Sequence, residues 1–83
     1  MIYLKEKSHL QPILAEEFRQ YRKVYMLSQE QFAKRLGISV RSYIDLEHGL
    51  FLPSATTLIH FLLLLDDQEL LSFLAIMEES LLN

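Results

Sequence analysis

The stretch LGISVRSYIDLEHG, Leu36 to Gly49, carries one arginine, no lysine and two acids. Arg41 can address guanine through O6 and N7 at once. Val40 and Ile44, four apart on a helix, can pack on thymine methyls, and Asp45 can accept from cytosine N4 while phosphates repel it. Ser28 and Gln29 open the preceding apolar segment, where free backbone N–H groups and the positive end of a helix dipole favour a phosphate. Further phosphate contacts would have to come from Ser42, Lys34, Arg35 and His48. That is a thin supply of charge for a partner whose affinity is dominated by charge.

Other residues with reactive side chains are scattered. His9, His48 and His60 lie far apart, and none has the i+3 or i+4 partner that makes a metal site. His60, inside LIHFLLLL, reads as a half-buried histidine with a hydrogen-bond partner. Asp66 and Asp67 read as residues at a helix N-terminus, and Glu78 and Glu79 as solubilising charge at an exposed helix end. With no nucleophile–base set and no glycine-rich phosphate cradle, the chain is not expected to be an enzyme, and no cofactor, metal or small-molecule ligand is expected.

The 83 residues are about half apolar, with two glycines, two prolines and no cysteine, which points to a single helical domain without disulfides or thiolate metal sites. The longest apolar run, FLLLL at Phe61–Leu65, is far short of the roughly 20 residues of a membrane span. The charged opening MIYLKEKSHL does not read as a signal peptide, so the expected compartment is the cytoplasm. The net charge of −3 hides a division: the first 41 residues carry eight bases and four acids, +4, and the remaining 42 carry seven acids and no base, −7. Such asymmetry suggests a basic functional face on an acidic body.

Five helices are expected. The first starts near Pro12, with Leu14, Phe18, Tyr21 and Tyr25 as its inner positions. Ser28 with Gln31 forms a capping box for the second, which Gly37 ends. Ser39 caps the third, which runs to about His48. Ser54 caps the fourth. Asp66 with Glu69 opens the fifth, spanning about residues 67–82. MIYL could extend as a short strand. Two helices of about eight residues around a glycine turn match the helix-turn-helix geometry, the alternative being two core helices of an ordinary bundle.

From Arg19 to about Leu63 the sequence resembles the phage-repressor (Cro, or XRE-type) helix-turn-helix family, on the combination of FRQYR, LSQEQFAKRLGIS, YIDLEHG and PSATTLIHFL at these spacings. The resemblance implies an all-α, five-helix, lambda-repressor-like DNA-binding domain with its helix-turn-helix core at residues 28–48. It implies that Gln29 touches the DNA backbone and that Ala33 is small because two helices cross there. Ile38, Tyr43 and Leu46 would face inward. Ser39, Val40, Arg41, Ile44 and Asp45 would face the groove, with Val40, Arg41 and Asp45 reaching base edges. Arg22 and Glu47 match a largely buried ion pair. After Gly49, where many members carry lysine or arginine, this chain has Leu50, Phe51 and Leu52; either Phe51 or Leu52 enters the core, or the loop forms a contact patch.

The last helix has apolar residues at nine of the thirteen positions from Leu70 to Leu82. Leu70, Phe73, Leu74, Met77 and Leu81 make one face, and the apolar arc is wider than a single core contact needs. A homodimer is therefore expected, with Leu71, Phe73, Ala75, Ile76 and Leu82 at the interface; the alternative is that the fourth helix covers the whole arc. The expected function is sequence-specific binding of a double-stranded DNA operator as a small bacterial or phage transcriptional regulator. The rival is a protein-interaction module or antitoxin-like component on the same scaffold, with a protein partner and weak DNA binding or none.

Overall fold

The computed structural model describes residues 7–82, with side chains from His9 onward. Five helices follow one another: α1 (Lys7–Val24), α2 (Gln29–Leu36), α3 (Val40–Glu47), α4 (Ala55–Leu64) and α5 (Asp67–Leu81). The described residues contain no strand, and the MIYL segment lies outside them.

Local chemistry sets most of the boundaries. The side chains of Ser28, Ser39, Ser54 and Asp66 each accept a hydrogen bond from the backbone N–H three residues on, at the head of α2, α3, α4 and α5. Gln31 and Glu69 return the bond to complete capping boxes. The first three helices end alike. Met26, Gly37 and Gly49 adopt left-handed backbone conformations. Around each, paired N–H groups reach back to the last turn, as in Leu27 N to Arg22 O, Ile38 N to Ala33 O and Leu50 N to Asp45 O.

One boundary differs from expectation. α1 begins at Lys7, so Pro12 lies inside the helix instead of opening it. The missing proline N–H removes one bond near the helix end. That loss is outweighed because the early turns bring Leu10 and Leu14 against the core.

The core is largely aromatic. Phe61 of α4 is its hub, meeting Phe18 and Tyr21 of α1, Phe32 of α2 and Phe73 of α5 edge-to-face, with centroids 4.9–6.3 Å apart. Phe32 meets Tyr43 of α3 at 5.1 Å, so all five helices join one ring cluster. Tyr25, expected inside, lies at the surface. It stacks on Tyr21 and donates to Glu69 at 2.6 Å, tying the end of α1 to the start of α5.

The cluster corrects the reading of α5. Phe73, expected at a dimer interface, is only 5% exposed and packs on Phe61. Leu74, assigned to the inner face, is exposed. The inner arc is Leu70, Phe73, Met77 and Leu81, rotated away from Leu74 because Phe61 draws Phe73 inward. Leu71, Ala75, Ile76 and Leu82 are exposed.

The two glycine turns differ in surroundings. A Cβ on Gly37 would stand 3.1 Å from His60 Nδ1, whereas one on Gly49 would meet nothing closer than 3.7 Å. His60 Nδ1 also lies 2.9 Å from the Leu36 carbonyl at the end of α2. In chemical denaturation, Gly49→Ala is expected to cost about 1–2 kcal/mol for the left-handed backbone alone. Gly37→Ala should cost measurably more, because His60 must also move. Equal losses for the two variants would contradict a tight fit at His60.

Candidate nucleic-acid interface

Arg41 occupies the centre of the outer side of α3, opposite the buried Tyr43, Leu46 and Glu47. It is almost free, with its side chain 85% exposed, and Val40 beside it is exposed as well. Ile44, expected to stand clear on the same side, is half-buried, so less of it is available to a partner. Asp45 is half-buried too, its Oδ1 3.7 Å from Arg41 Nε. Ser39 is committed as a cap: its Oγ accepts from Ser42 N and donates to Ser42 Oγ. The Ser42 hydroxyl hydrogen is thereby left free to donate outward.

The candidate phosphate contacts separate into two groups. Ser28, Gln29, Ser42 and His48 lie at the start of α2 and along α3. Lys34 and Arg35 are exposed at the other end of α2 and line a shallow groove with Gly37, His60, Leu63 and Leu64, none of which belongs to α3. Geometry gives them no shared surface with Arg41. In the loop after α3, Leu52 packs against the core, whereas Leu50 and Phe51 are exposed. Phe51, Ser42 and Asp45 share the wall of one groove beside α3.

These elements are fixed to one another by a buried carboxylate. Glu47, 4% exposed, accepts from Arg22 Nε at 2.6 Å and the Tyr43 hydroxyl at 2.8 Å on one oxygen. Gln29 Nε2 donates to the other at 2.7 Å. Arg22 continues to the Leu27 carbonyl, and Arg19 donates to the backbone carbonyl of Glu47 at 2.7 Å. Thus α1 grips the end of α3, and the head of α2 is tied to the same point. One amide hydrogen of Gln29 stays free to donate to a phosphate. Arg19 carried no role in the sequence reading; its spacing of one turn from Arg22 was the available signal.

Burial works to raise the Glu47 carboxyl. The bonds from Arg22, Gln29 and Tyr43, with the Arg22 charge, outweigh it and leave the group below its ordinary value. Burial and donation to Glu47 push the Tyr43 phenol up, so it stays a donor. Because the folded-state value of Glu47 is depressed, its contribution is present above the unfolded value, near pH 4.5, and is lost as pH falls towards the folded value. Glu47→Ala is expected to cost about 3–5 kcal/mol at neutral pH, since it strands a half-buried guanidinium. It should also flatten the fall in stability below that pH. Denaturant melts of both proteins from pH 7 to 3 measure this; an unchanged acid slope would show that Glu47 is not the titrating group.

Among the described residues no cluster of histidines and carboxylates is placed to hold a metal, and no helix is long and apolar enough to cross a membrane. No curated protein and no solved structure matches the chain. The Helix-turn-helix family matches residues 18–66, more than half of the chain, from Phe18 in the aromatic core to the cap at Asp66. The match takes in the α2–Gly37–α3 unit and the Arg22–Glu47 pair that orients it, and the chain belongs to the XRE-type helix-turn-helix family, a family of DNA-binding domains.

Proposed function

We propose that the protein is a small transcriptional regulator that binds double-stranded DNA sequence-specifically, with α3 in the major groove. The observation that carries this reading is the free Arg41 at the centre of an outward helix face whose orientation is fixed through Glu47. Arg41 addresses guanine, Val40 a thymine methyl, and the half-buried Ile44 at most the edge of one. Ser28, Gln29, Ser42 and His48 hold phosphates on either side. Residues 28–48 form the reading core of a single domain.

The reading also uses a homodimer. Leu71, Leu74, Ala75 and Leu82 fall on one flank of α5 at i, i+3, i+4 and i+11, a spacing suited to a second helix. Ile76 lies on the other flank, and Phe73 is excluded by its place in the core. A two-fold pair sets two copies of α3 on one DNA face, about 34 Å apart for half-sites one turn apart. The protein-interaction alternative draws on one observation: Lys34 and Arg35 stand away from α3, so little positive charge backs the reading face.

Selection from a random duplex library at about 100 mM salt, followed by salt titration, separates the two; each neutralised phosphate steepens the log–log slope by about 0.9. An enriched palindrome containing guanine is expected. Arg41→Ala should remove about 1–3 kcal/mol of discrimination at one base pair of each half-site. Failure of the library to enrich any sequence would transfer the function to a protein partner.

Self-association has its own test. Leu71→Glu is expected to weaken it by about tenfold or more, since each buried leucine contributes roughly 1.5–3 kcal/mol. Sedimentation measures this, with circular dichroism confirming an unchanged helical fold. An unaltered mass distribution would rule out this flank as the interface.

A further inference from the structure

Asp45 was expected to read a base, yet its placement suits a different task. Its side chain is only 21% exposed and lies against the α3 flank that forms a groove with Ser42, Leu46 and Phe51. A carboxylate this short and this low stands well behind the tip of Arg41, whose side chain is 85% exposed. The nearest charged group to Asp45 is the side of that guanidinium, with Nε 3.7 Å from Oδ1. Helix stability gives the pair little reason to exist, because a base four residues before an acid is the less favourable order and exposed pairs contribute little.

We infer that Asp45 is a positioning residue for Arg41 and not a base reader; the inference rests on the DNA-binding reading above. Arginine carries five N–H donors in a planar fork. A carboxylate beside Nε holds the guanidinium from the side and leaves the two terminal nitrogens, Nη1 and Nη2, facing outward together. Those two nitrogens are the pair that meets guanine O6 and N7. Without Asp45 the long side chain is free among its rotamers, and orienting it opposes binding at each half-site. As water leaves the interface, the charge pair strengthens and closes from 3.7 Å towards a hydrogen bond. The acid therefore weakens the attraction to phosphates but sharpens the choice of base. Asp45 belongs to specificity more than to affinity.

The test uses the full chain and the operator enriched by the unaltered protein, with guanine replaced by each other base at the pair that Arg41→Ala identifies. Asp45→Ala is expected to lower the guanine preference at that pair by about tenfold, within the range of one bidentate contact. Affinity for an unrelated duplex should not fall. In the Arg41→Ala background, Asp45→Ala should change nothing further at that pair. Relaxed choice at a different base pair would mean that Asp45 contacts a base itself, and an unchanged guanine preference would mean that it does not orient Arg41; either result overturns the inference while leaving the DNA-binding reading intact. If the unaltered protein enriches no operator, both fall together. Circular dichroism melts of the variants exclude loss of fold as the cause.

Discussion

The orientation of the outward face of α3 depends on the Glu47 carboxylate. Three helices meet at it: Arg22 arrives from α1, Gln29 from the head of α2, and Tyr43 from one turn back on α3. An isolated buried carboxylate is expensive, and this one is tolerated because all its acceptor directions used here are met by donors fixed in place. Such a group is a weak source of net stability compared with apolar packing. Its effect is geometric. Sliding α3 along α1, or rotating it, would unmake several charge-assisted bonds together, whereas leucines can exchange one contact for another. Arg19 adds to the constraint by holding the Glu47 backbone carbonyl.

Beneath that polar joint, the aromatic cluster supplies the burial that holds the helices together. Phe61 touches rings from α1, α2 and α5, and Phe32 passes the contact on to Tyr43, which is both a core ring and a donor to Glu47. Packing and polar geometry are coupled at that one residue. The two short helices of the reading core need this coupling, because eight residues make too little helix to persist alone. What the core leaves uncovered is also informative. Ile59 and Leu63 on α4, and Leu71, Leu74 and Leu82 on α5, remain apolar and exposed after folding. A chain this small has more apolar surface than its own interior can take.

Charge is distributed more sparingly. The bases lie in the first 41 residues, yet Arg22 and Arg19 are engaged with Glu47 and Lys34 and Arg35 face the α4 side. What remains around Arg41 is mostly hydroxyl, amide and backbone, chemistry that fixes register better than it generates attraction. This balance fits a protein whose binding leans on pairing two copies.

The sequence by itself determined the features that act within one helical turn. Ser28, Ser39, Ser54 and Asp66 cap where their types and the residues three on predicted, and Gly37 ends α2, because a cap needs only its own side chain and the adjacent N–H groups. The family resemblance placed Arg22 opposite Glu47, which spacing alone could not have done across 25 residues. Tertiary structure decided the rest. Pro12 sits inside α1, Phe73 turns into the core while Leu74 does not, and Ile44 is half covered. Each outcome is a sum over partners from distant helices. On an α5 that is apolar through most of its circumference, the side chains alone cannot choose the inner face; the choice falls to Phe61, which is met only when the chain has folded.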